Sequence, residues 1–513
     1  MLDRARPGTA PEGAAARFFA AIDRHPVPLV VAVVALNLVL KLRFVGRPSL
    51  WLDEAVTIFY GQQSWHEIVR FSAHDQNPPL YYLLAGAWIR LLGDSEAAVR
   101  SLSALLSAAT GGAIAVFARR FLDVRAAIVA SLLFATSRVH LLYAQEARTY
   151  ALVSLLVVVS FHLFLALFDR RPERRPTGSP KLIAAALTMV NTLLLYAHYL
   201  TVWALGVQIL VACLLARRAA KPFRLFLLSQ LGVAVLLFPW LRFAIANIPA
   251  PGAFWLAPPA WIDLVRLAKQ LAGSWQLLLV DLALIVAAVV LALLGRRVDR
   301  PALEPAVLAL LVAWSFLPIA ADFAVAAFTP IFLARYLLYC SIGEMLLVSY
   351  LISTAPVDDT VRCAVALPAV LFAATQLDLH PPKPHDWRAA VAAVREERTP
   401  GSLVVLSPGW QSTPFAYYFD LAAFRDHAAT IRRLSAARVL PAELADDVDP
   451  RALEPIDRLI LVRELNSRLD ARRLVERLGS RDDDLTVERS FAGIEVRVYR
   501  LRSPPAESAA VSP

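Results

Sequence analysis

Apolar runs long enough to cross a lipid bilayer recur along most of this chain, and that recurrence limits the fold more than any other feature. A spanning helix needs about 17–25 predominantly apolar residues, because inside lipid every backbone polar group must find its partner within the segment. Such runs cover 27–45, 97–118, 126–143, 149–168, 182–199, 200–216, 224–243, 276–294, 304–321, 336–354 and 361–378. Of the 513 residues, 58% are hydrophobic and 18% charged, and the mean hydropathy is +0.55. A soluble chain of this length needs more polar surface, so the sequence predicts a polytopic α-helical membrane protein.

One further apolar piece, "PLYYLLAGAWIRLL" at 79–92, is short, and its placement decides the topology. Counted as a span, it would turn "ARRFLDVR" outward, against the bias of Lys and Arg toward the cytoplasm. Taken as a juxtamembrane helix in the first outer loop, it lets the basic segments 118–125, 169–181, 216–224 and 295–300 all face inward. The expected architecture is therefore about eleven transmembrane helices, N-terminus inside and C-terminus outside. Residues 1–26 read as a cytoplasmic tail before an uncleaved first span, 27–378 as the transmembrane domain, and 46–96 as its first outer loop. The outer side also receives 144–148, the turn near 198–200, 244–275 and 322–335.

Beyond residue 379 the character changes. "DWRAAVAAVREE" reads as an amphipathic helix before a short β-branched strand; "RLILVREL" and "FAGIEVRVYRL" read as further strands, with "SRLDARRLVERLG" a helix between them. The expectation is a soluble α/β domain over 379–503, extracytoplasmic, followed by a disordered Pro/Ser/Ala tail at 504–513.

The formal net charge of +10 needs no nucleic acid, since cytoplasmic loops alone produce such a balance. Cys213, Cys340 and Cys363 all fall in apolar runs and form no disulfide framework. With no CxxC or HExxH spacing among the scattered histidines, the residues name no cofactor and leave a divalent metal open.

Against this background "SLWLDEAVTIF" at 49–59 stands out. Asp53 and Glu54 sit in an apolar stretch just past the first span, where a carboxylate is costly without a task or a partner. Neighbouring helical residues point about 100° apart, so one acid is expected to carry chemistry while the other anchors the loop. "HDQNPPLYY" adds Asp75, Asn77 as a helix cap ahead of two prolines, and the hydroxyls of Tyr81 and Tyr82. "YAQEARTYAL" puts Glu146 and Arg148 at an outer turn, where an arginine calls for an anion partner. "YAHYL" contributes His198 and Tyr199, and "FLARYLL" contributes Arg335 and Tyr336. A solvated acid pair, belt tyrosines and snorkelling arginines are the ordinary explanations of each alone. Their gathering on one predicted side of the membrane is the signal.

The order of these motifs resembles the glycosyltransferase C superfamily. The likeness rests on the "DE" pair at 53–54, "PPLYY" at 78–82, G-x-S-E-x-x-x-R at 93–100, "QEAR-x-Y" at 145–150 and "ARY" at 334–336. Within that superfamily the motifs look like the bacterial branch related to protein O-mannosyltransferases and lipid A aminoarabinose transferases, glycosyltransferase family 39-like. The resemblance implies a sugar donor carried on a polyprenyl phosphate and a lipid, glycan or protein acceptor, worked at the outer surface of the cytoplasmic (inner) membrane. It implies that Asp53 is the catalytic base, with Glu54 its neighbour in the site, and that Arg148 and Arg335 hold the lipid phosphate. The sequence departs at Asn77, where many relatives have histidine.

The chemistry is coherent without the family. Transfer from a lipid phosphate needs a base for the acceptor hydroxyl and fixed cations for the departing phosphate, and direct in-line attack inverts the anomeric centre. A transporter would instead place ionisable groups at mid-membrane in broken helices and often repeat itself; the mid-span polar residues here are few, Asn37 and Asn191 among them, and no repeat is seen. A non-catalytic scaffold with an extracytoplasmic binding domain would need no such gathering of acids and arginines.

Overall fold

The computed structural model describes residues 14–75, 77–169, 179–247, 257–294, 305–355, 357–381, 383–448, 456–465, 467, 469–477 and 484–501. The basic segment 295–300, most of 169–181, part of 244–275 and the tail at 504–513 lie outside them. Among the described residues, six helices are long and apolar enough to cross a membrane, or up to nine if each of three sharply bent pairs counts as one span. The chain is a multi-pass, mostly helical membrane protein with a small C-terminal sheet.

Each apolar run expected to span carries a helix, and the departures have local causes. The run 126–143 breaks into Val124–Ala135 and Arg138–Ala144, bent by 61°. Thr136 Oγ1 bonds back to the Leu132 carbonyl at 2.9 Å, and Ser137 Oγ caps the second helix by accepting from His140 N. Part of the predicted N-terminal tail is the helix Ala14–Arg24, which meets Pro26–Leu42 at 91°; Pro26 cannot continue a helix that precedes it. The predicted outer segment 244–275 holds an unforeseen helix, Trp261–Ala272. Gly273 ends it at φ +98°, a left-handed turn that swings the chain by 90° into Trp275 and the next helix.

The chain forms two compact units: Met1–Phe44 with Ile68–Leu83 and Arg100–Leu379, and Val45–Glu67 with Leu84–Val99 and His380–Pro513. The first is the helical one. Three of its helices are tied by a closed polar ring in which Ser160 donates to Asn191 Oδ1 (2.5 Å), Asn191 Nδ2 to Gln208 Oε1 (2.8 Å) and Gln208 Nε2 to Ser160 Oγ (2.6 Å). All three side chains are buried, and mutual pairing is what makes polar groups tolerable at that depth. Asn37 donates to the Val33 carbonyl within its own helix.

The second unit is built on a five-stranded sheet in the order β2-β1-β3-β5-β4. Its strands are β1 (Ser402–Ser407), β2 (Val439–Pro441), β3 (Arg458–Glu464), β4 (Leu485–Phe491) and β5 (Ile494–Arg500). β1 runs parallel to β2 and β3, while β5 is antiparallel to β3 and β4. "SLVVLS" is buried throughout because a central parallel strand is covered on both faces. β4, with alternating exposure, is the edge strand the sequence reading missed, and β2 is only three residues long. Gly493, at φ +67°, closes the β4–β5 hairpin where a side chain would strike the Pro384 carbonyl at 2.3 Å. Asp386 caps the helix Trp387–Glu397, whose buried face of Trp387, Ala390, Val391 and Val394 follows helical spacing. The helix expected at 467–479 is confined to Ala471–Arg477 among the described residues.

Candidate active site

In the first unit the predicted anion-binding residues come together around one turn. Arg148 lies between the helices Arg138–Ala144 and Tyr150–Phe168, and the turn is held from several sides. Its amide bonds the Glu146 carbonyl (2.8 Å), Gln145 Nε2 donates to the Lys41 and Arg43 carbonyls, and Thr149 Oγ1 donates to the Ala197 carbonyl. Ser103 Oγ donates to the Arg148 carbonyl at 3.3 Å and lies 2.7 Å from the Tyr81 hydroxyl, so Tyr81 braces the turn.

The Arg148 guanidinium, buried, donates through Nη1 to the Tyr82 hydroxyl at 3.1 Å, and that hydroxyl donates to Asp75 Oδ2 at 2.8 Å. Burial above all, with help from Asp75 and against Arg148, pushes the Tyr82 phenol well above its ordinary range. It therefore stays protonated and passes the pull of Asp75 on to Arg148. Asn77 was expected to cap a helix, but that helix begins at Leu80, and the Asn77 amide turns instead toward Asp75 Oδ2 at 3.5 Å.

His198 is buried, accepts from Leu200 N through Nδ1, and is pushed down to about 3 by burial and then by Arg148 and Arg335. At neutral pH it is uncharged, so the positive charge here belongs to the two arginines, one from the turn and one from the 3₁₀ segment Ala334–Leu337. The Tyr336 ring sits 4.7 Å from the His198 ring and 6.5 Å from that of Tyr150. Glu146, buried, and Arg335 both act electrostatically on Tyr143. Tyr199 accepts from Trp240 Nε1 at 3.1 Å and is in electrostatic reach of Asp75. The first-unit residues picked from sequence thus surround one polar, aromatic-walled cluster. Tyr82 carries the contact to Arg148, with Tyr81 bracing from behind.

The acid pair lies in the second unit, on the first turn of the helix Leu52–Gly61, where carboxylates favour the positive end of the helix dipole. The two acids differ. Asp53 is half-buried, whereas Glu54 is fully buried with Lys383 Nζ 3.9 Å from its Oε1. Lys383 was not singled out from sequence: a lone lysine in "HPPKPHDW" carries no spacing signal, and its pairing depends on tertiary contact. Arg100, the last residue of the G-x-S-E-x-x-x-R motif, is also fully buried. Among the described residues no three His, Cys, Asp or Glu side chains gather as a metal site.

The fold is similar to the glycosyltransferase C fold of solved membrane proteins. ArnT from Cupriavidus metallidurans, solved bound to undecaprenyl phosphate, is similar with a TM-score of 0.58 at 13% identity, over 92% of this chain and 97% of that one. Two further likenesses have a TM-score of 0.47. One is to the Archaeoglobus fulgidus oligosaccharyltransferase complex with Zn and sulfate (13% identity, 84% of this chain and 67% of that one). The other is to the arabinofuranosyltransferase AftD from Mycobacteria (17% identity, 93% and 41%). No family model and no curated protein matches the chain.

Proposed function

We propose that this protein is an integral-membrane glycosyltransferase. It moves a hexosyl or pentosyl group from a polyprenyl phosphate to a lipid, glycan or protein acceptor at the outer face of the cytoplasmic membrane. The observation that carries the reading is the Arg148–Tyr82–Asp75 chain, buried at Arg148 and Tyr82, with Arg335 acting with Arg148 on His198, in a fold shared with a protein solved with undecaprenyl phosphate.

Arg148 and Arg335 hold the phosphate that links sugar to lipid. Arginine suits that task because its planar fork meets phosphate oxygens in pairs and keeps its charge when desolvated. Asp53 takes the proton from the acceptor hydroxyl. The acceptor oxygen forms its bond to the anomeric carbon as the bond from that carbon to the phosphate oxygen breaks, inverting the centre. The electron pair leaves with the polyprenyl phosphate, whose added charge the arginines stabilise. Glu54 orients the turn that carries Asp53, while Asp75, Asn77, Tyr81, Glu146, His198, Tyr199 and Tyr336 shape the substrate cavity.

The topology that goes with this function has eleven spans, the N-terminus inside, and the C-terminal domain outside. The prenyl tail then stays in lipid while the acceptor arrives from water. The closed Ser160–Asn191–Gln208 ring supports an enzyme over a transporter, because these mid-span polar groups satisfy one another.

The test is to compare lipid-linked sugars and envelope glycans from cells with and without the protein. One sugar should vanish from its acceptor while its polyprenyl-phosphate form accumulates. Unchanged glycans and carrier lipids would overturn the proposal.

A further inference from the structure

We infer that Lys383 is a positioning residue that sets the direction of Asp53 by gripping Glu54, and that the C-terminal domain serves through it as the clamp of the acid-bearing turn. The inference rests on the reading of Asp53 as base, and it adds a role for the domain that follows residue 379.

Every part of the clamp lies within the second unit. The Lys383 and Glu54 side chains are 2% and 0% exposed, with Nζ 3.9 Å from Oε1. A carboxylate buried that deeply is costly unless a cation stays beside it. The approach to the same helix is pinned by residues from the same C-terminal stretch. Ser49 Oγ donates to the His385 carbonyl (2.9 Å) and accepts from Trp387 N (3.1 Å). Leu50 N donates to the Tyr418 hydroxyl (2.7 Å), and Arg388 Nη1 donates to the Arg47 carbonyl (2.7 Å).

These contacts hold the chain up to residue 50, while the helix itself starts without a side-chain cap, at Trp51. Lys383 supplies a hold on the first turn itself. Because Asp53 and Glu54 are consecutive on a helix, a grip on Glu54 fixes the azimuth of Asp53, which stays half-buried about 100° away. Thr57 Oγ1 closes the turn from inside by donating to the Asp53 carbonyl at 2.9 Å.

The experiment uses the full-length protein in lipid nanodiscs, as Lys383→Met, Glu54→Gln and the double variant. Amide hydrogen exchange over 47–61 needs no substrate. It should rise at least tenfold in Lys383→Met, which removes the cation 3.9 Å from the buried carboxylate, and return toward wild type in the double variant, which removes the carboxylate charge as well. In the transfer assay, Lys383→Met should lower kcat about tenfold or more while binding of undecaprenyl phosphate stays within about twofold, since a general base out of line costs rate and not donor affinity. Unchanged exchange in Lys383→Met would overturn the clamp, whatever the activity. Parallel loss of kcat, donor binding and thermal stability in Lys383→Met, unrelieved in the double variant, would also overturn it by making the pair a plain fold contact. An inactive wild type with the exchange changes intact would sink the glycosyltransferase reading and leave the clamp standing.

Discussion

Arg148 reaches the Tyr82 hydroxyl at 3.1 Å, and the same hydroxyl reaches Asp75 at 2.8 Å. The phenol accepts on one side and donates on the other, so it orients the guanidinium and relays a negative charge to it. The two arginines and their surroundings make the clearest predictions.

Donor binding should fall in the order Tyr82→Phe, Arg148→Lys, Arg148→Ala. Loss of the hydroxyl removes one hydrogen bond to a charged group, worth about 1.5–3 kcal/mol, or roughly 10–150-fold in affinity as an upper range. Lysine keeps a point charge without the fork, and alanine keeps neither. The measurement is binding of undecaprenyl phosphate to purified, monodisperse variants; equal affinity in all of them would reduce Arg148 to a turn residue.

Asp53→Asn should lower kcat by about 10²–10⁴, the usual worth of a general base, with folding and donor binding preserved. Asparagine keeps the shape and hydrogen-bonding ability of the side chain but takes no proton at working pH. Glu54→Gln should cost less. A fully active Asp53→Asn enzyme would move the base elsewhere.

His198 gives a pH signature. Burial and two arginines push it down to about 3, below its unfolded value of about 6.5. The unfolded chain therefore binds the extra proton first as pH falls. This part of the stability is full above about 6.5 and is lost progressively between about 6.5 and about 3. His198→Gln should flatten that stretch of the thermal stability curve. A curve unchanged by the substitution would show that His198 is more open to water than its burial implies.

Sidedness is tested with single cysteines at Ser64 and Ala436, both exposed, in a chain whose three native cysteines are replaced. An impermeant maleimide should label both sites in spheroplasts that retain an intact cytoplasmic membrane. Labelling of either site only after lysis would invert the proposed topology.

Asn191→Ala should destabilise the helical unit by about 1–2 kcal/mol, because it leaves Gln208 and Ser160 short of a partner at a buried site. Thermal unfolding in detergent reads the change, and activity per folded molecule should stay close to wild type.

Most of the helical framework was legible in the sequence because a bilayer imposes one rule everywhere. A run of about 20 apolar residues has few other ways to satisfy its backbone, so the eleven runs could be located to within a few residues of the helices that carry them. The helix Trp387–Glu397 and strands β1, β3 and β5 were likewise written in local periodicity. Locally unusual residues were legible too: Asp53, Arg148 and His198 stand out because an apolar chain spends charge sparingly. Breaks and pairings were not. The bends at Thr136–Ser137 and Gly273 depend on one side-chain bond or one left-handed residue, which a 20-residue window averages away. Edge strand β4 alternates weakly, and β2 is too short for any period to show. That Tyr82 meets Arg148 while Tyr81 meets Ser103, that Asn77 turns to Asp75, and that Lys383 returns to Glu54 were decided by the tertiary structure alone. Adjacent residues in a sequence differ in the direction their side chains take, and residues far apart in it meet only after the chain between them has folded.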